Sequence, residues 1–171
     1  APVRIAAAAP MGRSATVNTA FSPNLIATVF DTYNNPVGSA GVTFDVRGVQ
    51  TGGATWSYTV PQAISTAPMG PTIGQASLPV TANTKAGQFM VTAYLTSAPT
   101  VAIPMDWVLT NTAGAPAILT AYSPQTVALA PAGRTQLQAR LTDSFMNPII
   151  GASITWTPNT VMGATGTVSM S

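Results

Sequence analysis

Apolar and polar residues alternate along most of the chain, and turn-forming residues separate the alternating stretches. In residues 25–30, every second side chain from Leu25 onward lies on one face, and every second one from Ile26 onward lies on the other. Residues 42–46 repeat this pattern. Seven or eight short strands in about 110 residues, with turns between them and no helical period, predict an all-β fold built as an antiparallel sandwich.

Other segments follow the same alternation less regularly. Further strands are predicted at residues 2–9, 56–60, 76–80, 89–93 and 101–109. Residues 11–14 are expected to break the first strand, and residues 61–73, which are rich in proline, are expected to form an irregular loop. Pro79 within the 76–80 segment indicates an edge strand or a bulge.

One strand–turn–strand unit occurs twice at an offset of 112 residues. Residues 25–37 match residues 137–149, and the match resumes in the second strand of each copy, at residues 42–44 and 154–156. In each copy an Asp follows the strand, at Asp31 and Asp143, and an Asn-Pro pair begins four residues later. The Asp is expected to accept hydrogen bonds from backbone amides two residues on, which closes an Asx-type turn. A repeat of this kind indicates one small domain used more than once.

The repeat divides the chain into modules. Residues 1–110 are predicted to form one complete module, residues 111–116 a linker, and residues 117–171 the front half of a second module. A half-module would expose its inner face and a row of unpaired backbone groups. Two explanations stay open: the chain continues beyond Ser171, or a neighbouring subunit supplies the missing strands in a head-to-tail contact.

The inward faces of the predicted strands give the expected core. Its members are Leu25, Ala27, Val29, Val42, Phe44, Leu78, Val80, Phe89, Val91, Ala93, Leu137, Leu141, Ile154 and Trp156. On the opposite face of the first repeated strand, Ile26 and Phe30 stand where the second copy carries polar residues. Apolar residues on a solvent face mark contacts. We therefore expect Ile26 and Phe30 to belong to an assembly interface, together with Ile154 and Trp156 on the open half-module.

Charged residues are sparse, at 6% of the chain against a typical ~25%. The six basic residues are scattered without a stripe, which argues against nucleic-acid binding. The chain has no Glu, His or Cys, so an enzyme would have only Asp, Lys85 and hydroxyl groups to work with. No apolar run reaches the ~18 residues of a membrane-spanning helix. A surface of Thr, Ser, Asn and Gln is typical of secreted and cell-surface β-proteins, so the predicted location is extracellular.

Two alternatives involve a ligand. A calcium site at the junction of the modules would use Asp31 or Asp143, but calcium needs several oxygen ligands close together and no two Asp residues lie within ten positions. The turn cap is therefore favoured, and no metal or other cofactor is predicted. Trp56, Tyr58 and Trp107 are candidates for a platform on which a sugar stacks. That would make the chain a carbohydrate-binding module of a secreted enzyme, with a host or surface glycan as partner.

Three segments together carry a family pattern. They are Asp-x-x-x-Asn-Pro-Val at 31–37 with Gly-Val-Thr-Phe at 41–44, Leu-Pro-Val-Thr-Ala-Asn-Thr-x-Ala-Gly-Gln-Phe-x-Val-Thr-Ala at 78–93, and Leu-Thr-Asn-Thr-Ala-Gly-Ala-Pro at 109–116. They resemble the bacterial Ig-like repeats of invasin- and intimin-type adhesins and related giant surface proteins. The resemblance covers the first module and the front of the second, and it departs at residues 61–73, where the loop is longer.

The resemblance implies tandem Ig-like sandwiches, the second of them incomplete in this chain. It also implies a non-enzymatic structural module of a bacterial cell-surface adhesin or extracellular filament, which acts as a rigid spacer and in subunit assembly. The implied partners are neighbouring repeats or other copies of the chain, joined by strand pairing. The resemblance does not name what is bound, because function resides in sites and not in the fold.

Overall fold

The computed structural model describes residues 1–8, 10–47, 50–57, 62–98, 105–122 and 133–157. The strands in these ranges are β1 Arg4–Ala7, β2 Gly12–Thr16, β3 Leu25–Phe30, β4 Gly41–Arg47, β5 Gln62–Ser65, β6 Gln75–Leu78, β7 Gly87–Leu95, β8 Met105–Thr112, β9 Ile118–Ala121 and β10 Ala139–Thr142. Within the described ranges there is no helix, and so none long and apolar enough to cross a membrane.

Strands β1 to β8 form two sheets that pack face to face. One sheet has three strands in the order β1-β3-β6, and the other has five in the order β2-β8-β7-β4-β5. Neighbouring strands are antiparallel except β2 and β8, which run parallel. The first module is thus an all-β sandwich, as the alternation predicts.

The core lies between the two sheets and draws on both. In β3, buried positions alternate strictly with half-buried ones, which is the predicted register. The ring of Phe44 from β4 lies beside Trp107 from β8, with ring centroids 5.9 Å apart. Burying one large apolar side chain of this kind stabilises the fold by about 1.5–3 kcal/mol. The core positions predicted in the first module are confirmed as buried: Leu25, Ala27, Val29, Val42, Phe44, Leu78, Val80, Phe89, Val91 and Ala93.

Two segments predicted to be irregular contain strands. Residues 11–14, expected to break the first strand, lie largely in β2, which pairs with the end of β8. The guanidinium of Arg13 donates to the carbonyl oxygens of Pro10 (3.1 Å) and Asn24 (2.7 Å). These bonds tie β2 to the segments before β2 and before β3. The expected loop at 61–73 contains β5, which pairs with β4. The prediction for 11–14 was wrong, and the loop prediction was wrong at β5 but correct for residues 66–73, which contain no strand. Strand formation at β2 and β5 depends on a distant partner and not on the local pattern.

Other predictions for the first module have mixed outcomes. Strand β6 ends at Leu78, directly before Pro79, and lies at the edge of its sheet, as the proline indicated. Trp56 makes only an isolated bridge to Ala82, where a strand over 56–60 was predicted. Residues 58–60 and 101–104 of the predicted strands lie outside the described residues.

The second module begins as the first does. Strands β9 and β10 pair with Ile118 opposite Thr142, as β1 and β3 pair with Arg4 opposite Phe30. The backbone bond from Ala117 N–H to the Thr142 carbonyl, 2.9 Å, likewise matches the bond from Val3 N–H to the Phe30 carbonyl, 2.9 Å. The repeat seen in the sequence is therefore a repeat of backbone geometry.

The core prediction is wrong for the second module. Leu137 is 43% exposed and Trp156 is 36% exposed, while Leu141 and Ile154 are half-buried. Residues 154–156, predicted as a strand, have no regular secondary structure. The physical reason is that, among the described residues, no second sheet lies over β9, β10 and residues 154–156, so these apolar side chains have no opposing layer to bury them there.

Candidate functional site: the module junction

The turn after β3 is closed by the side chain of Asp31. Its Oδ1 accepts hydrogen bonds from the backbone N–H groups of Tyr33 (2.9 Å) and Asn35 (2.8 Å), and its Oδ2 accepts from the Asn35 side chain (3.3 Å). Asn34 adopts the left-handed region at φ 65°, which Asn tolerates better than most residues. This is the Asx-type turn that the sequence predicts.

The turn after β10 has the same geometry. Asp143 Oδ1 accepts from the backbone N–H groups of Phe145 and Asn147, each at 2.9 Å, and Asp143 Oδ2 accepts from the Asn147 side chain at 2.9 Å. Met146 occupies the position of Asn34 and has a φ of 67°. A left-handed Met costs about 1–2 kcal/mol relative to the right-handed conformation. The hydrogen bonds of the turn hold it in place.

The second turn differs from the first because it is docked on the preceding module. The Asn147 side chain donates to the backbone carbonyl of Thr84 (2.9 Å) and accepts from the backbone N–H of Ala86 (2.8 Å). Asp143 Oδ2 also accepts from the backbone N–H of Gly114 in the connecting segment, at 2.8 Å. Asn147 is 5% exposed and Asp143 1%. We call this set of contacts, between residues 143–147 on one side and residues 84–86 and 114 on the other, the module junction.

The turn that receives Asn147 is fixed by contacts within the first module. Asn83 Oδ1 accepts from the backbone N–H of Lys85 at 3.0 Å. The buried amide nitrogen of Asn111, from β8, lies 2.9 Å from Asn83 Oδ1 and 3.0 Å from the Lys85 carbonyl. Gly87 follows at φ +145°, where a Cβ would collide with the backbone carbonyl of Thr51. Contacts within the first module therefore orient the Thr84 carbonyl and the Ala86 N–H independently of Asn147.

Both turn carboxylates have pKa values below the ordinary range. Burial raises the pKa of Asp143, but hydrogen bonds from the Asn147 side chain and from the Gly114, Asn147 and Phe145 amides together lower it further. Backbone hydrogen bonding from Asn35 is the main cause that lowers the pKa of Asp31. Each Asp is thus a carboxylate at neutral pH, held by N–H donors, which bind the ionised form more strongly than the neutral acid.

A solved structure of FdeC, an Escherichia coli adhesin, is similar to this chain. The two match with a TM-score of 0.50 and 19% sequence identity, over 85% of this chain and 45% of the FdeC chain. The two chains share an all-β sandwich fold. This chain spans less than half of the FdeC chain, and at this identity the likeness concerns the fold alone. No protein-family model and no curated protein sequence matches the chain.

Beside the module junction lies a cleft of about 500 Å³ that both modules line. Its walls include Asn111 near the end of β8, Gly114 in the connecting segment, and Pro148, Ile149 and Ile150 from the second module. Ile150 is 94% exposed at the rim. In the described part of the chain, no group of three or more acidic, His or Cys side chains is placed to hold a metal ion.

The residues predicted for the assembly interface lie apart from the junction bonds. Ile26 and Phe30 are half-buried on the outer face of β3, and the Arg4 guanidinium covers the Phe30 ring at 4.3 Å from its centroid. Ile154 is half-buried and Trp156 exposed in the second module. A partner surface for either pair stays a prediction.

The predicted sugar platform is not formed by the two Trp residues. Trp56 is 3% exposed and Trp107 0%, and both belong to the core of the first module. Stacking on a sugar needs an exposed ring face, so these positions are corrected to core. Tyr58, the third candidate, lies outside the described residues.

Sequence reasoning missed the junction residues themselves. The sequence indicates Asp143 as a turn cap, with a calcium site as the alternative, and Asn147 only as part of the Asn-Pro turn signal. The available signal was the strict repetition of Asn four residues after Asp, since the Asp alone is enough to close the turn. In both copies this Asn side chain donates to the turn Asp, and among the described residues only Asn147 has further partners.

Proposed function

We propose that the chain is a non-enzymatic structural part of a bacterial cell-surface adhesin or extracellular filament, in which successive Ig-like modules form a rigid spacer. The observation that carries this proposal is the module junction, where Asn147 and Asp143 bind backbone groups of the preceding module and its connecting segment. The likeness of the fold to the adhesin FdeC supports it.

Rigidity follows from the kind of contact at the junction. Modules joined by a short segment move relative to each other by default, unless their interface restrains them. Here Asn147 makes two directional bonds to the backbone of the first module, and Asp143 binds the connecting segment at Gly114. Each such bond contributes about 0.5–1.5 kcal/mol net, and a bond to a charged group more. Bending at the junction would leave buried polar groups without partners.

Display outside the cell and assembly with other subunits belong to the same proposal. The low content of charged residues and the absence of Cys, Glu and His fit a structural surface protein better than an enzyme. Among the described residues, β9 and β10 form a sheet of only two strands with both edges unpaired. Such edges are suited to strands from a neighbouring repeat or subunit, because exposed sheet edges recruit strands.

The experiment measures the distance between the modules. The chain has no Cys, so Ser65→Cys in β5 and Thr120→Cys in β9 introduce two exposed sites for spin labels. Pulsed electron–electron double resonance is expected to give one narrow distribution of distances between the two labels. Asn147→Ala is expected to broaden it, whereas Asn35→Ala, the matched change in the undocked turn, is expected to leave it unchanged.

Two results would contradict the proposal. One is a broad distribution in the unsubstituted chain, which would mean that the modules move freely. The other is a narrow distribution that Asn147→Ala does not change, which would mean that the junction bonds do not set the orientation. Unchanged circular dichroism of the variants shows that the sandwich itself is intact.

A further inference from the structure

The first module carries a second copy of the docking turn with its bonding groups unused. Among the described residues, nothing binds Asn35 Oδ1, only Asp31 binds its amide group, and Asp31 Oδ2 receives only that one donor. In the second module, the corresponding atoms of Asn147 and Asp143 make the three bonds of the module junction. The turn at residues 31–37 thus offers an acceptor, a donor and a carboxylate lone pair in the geometry of the docked turn.

The first turn is open to solvent, whereas the second turn is covered by the preceding module. Asn35 is exposed and Asp31 half-buried, whereas Asn147 and Asp143 are buried by the preceding module. The backbones are the same, including the hydrogen bond from the Asp N–H to the Asn carbonyl, which is 3.0 Å in both copies. The two turns therefore have the same backbone geometry, and they differ in that only the second one is bound to another module.

We propose that residues 31–37 are a docking site for the turn of another Ig-like module that precedes this one. The partner turn would be the equivalent of residues 83–87 in that preceding module. Its backbone carbonyl and N–H groups at the positions of Thr84 and Ala86 would be free to bind Asn35. The inference rests on the proposed function and extends it from one junction to the opposite end of the first module. A second copy of this chain does not supply the partner directly, because Asn147 already occupies its own 83–87 turn.

The register of the first strands defines how the partner is joined. Pro116 precedes Ala117 as Pro2 precedes Val3. The N–H groups of Val3 and Ala117 each donate, at 2.9 Å, to the backbone carbonyl of the residue directly before the turn Asp. The counterpart of Gly114, whose N–H binds Asp143, is therefore the position immediately before Ala1. A preceding module would place an N–H there, within reach of Asp31 Oδ2.

The test is a tandem protein in which residues 1–115 of an added copy are placed before Pro2 of the full chain. The added copy ends in Gly-Ala and has a free 83–87 turn, so it reproduces the connection at residues 114–116. Ala6 in β1 is the counterpart of Thr120 in β9, since they pair with Thr28 and Arg140. Spin labels at Ser65→Cys of the added copy and Ala6→Cys of the chain therefore measure the same span as Ser65 and Thr120 in the original chain.

The tandem is expected to give a narrow distribution that coincides with that of the Ser65–Thr120 pair. Asn35→Ala in the chain is expected to broaden it, and Asn34→Gly is expected to have no effect, because Gly accepts the left-handed backbone of that position and Asn34 has no counterpart in the junction bonds. A broad distribution in the tandem, or a narrow one unaffected by Asn35→Ala, overturns the inference. If the original pair stays narrow and sensitive to Asn147→Ala, the proposed function stands and only this inference fails. If both are broad, both fail.

Discussion

Asn147→Ala is expected to loosen the module junction while both modules stay folded. The substitution removes two bonds to the first module, at 2.8 and 2.9 Å, and one bond to Asp143. The matched substitution Asn35→Ala removes only the bond to Asp31, at 3.3 Å. The difference between the two variants is therefore two bonds between modules. At a net 0.5–1.5 kcal/mol each, they amount to about 1–3 kcal/mol, or roughly a 5- to 160-fold rise in the opening constant of the junction.

Amide hydrogen exchange measures this opening directly. The Gly114 N–H is bonded to Asp143 at 2.8 Å and exchanges when the junction opens. Its exchange rate, measured by nuclear magnetic resonance under conditions where closing is faster than exchange, is expected to rise by that factor in Asn147→Ala. The Lys85 N–H, which is bonded to Asn83 inside the first module, serves as an internal control and is expected to keep its rate.

Equal Gly114 exchange rates in Asn147→Ala and Asn35→Ala would refute a role of Asn147 in docking. In that case the Asn147 bonds would contribute nothing to docking, and the modules would be held by other contacts. A rise at Lys85 equal to the rise at Gly114 would instead indicate that the first module had been destabilised as a whole.

Three further predictions concern the core, pH and the receiving turn. Phe44→Ala is expected to lower the free energy of unfolding by about 3–5 kcal/mol in denaturant titration, because it empties a fully buried site, and a loss under about 1 kcal/mol would contradict this. The folded pKa of Asp143 lies below the ordinary value of about 3.9, so its ionised form stabilises the junction above about pH 4, and this is lost as the pH falls through the folded pKa. The distance distribution between labelled modules should then broaden in acid, whereas Asp143→Asn should be broad throughout; an unchanged acid distribution would argue against this. Gly87→Ala is expected to lower the melting temperature clearly more than Gly70→Ala, since both glycines have positive φ but only Gly87 lacks room for a Cβ; equal shifts would speak against the collision.

The sandwich of the first module was largely predictable, because its strands carry a period of two that decides which side chains are buried. Leu25, Ala27 and Val29 on β3 are buried as the alternation requires. Strands β2 and β5 were not predictable in the same way, since their pairing partners β8 and β4 lie far along the chain. Non-local pairing leaves little trace in a short window of sequence.

The turn at the candidate site was predictable, but its role was not. Asp31 and Asp143 follow equivalent strands and precede the same Asn-Pro pair, so a local pattern predicts the same turn for both. Which copy is docked depends on whether another module lies against it, and only the three-dimensional structure shows that Asn147 reaches Thr84 and Ala86. The sugar platform was predicted wrongly for a different reason. Alternation along a strand does not tell whether an aromatic side chain such as Trp107 faces the core or the solvent.

If the chain acts as the proposed spacer, the parallel pairing of β2 with β8 sets how the first module responds to tension. Their paired segments run from Gly12 opposite Val108 to Thr16 opposite Thr112. When tension reaches the start of β2 and leaves from the end of β8, the two forces act at opposite ends of this ladder. All of its hydrogen bonds are then sheared at once, whereas an antiparallel pair pulled from a single end would unzip one bond at a time. Strand β8 ends two residues before Gly114, so tension on the proposed spacer would pass from this ladder into the segment that Asp143 binds.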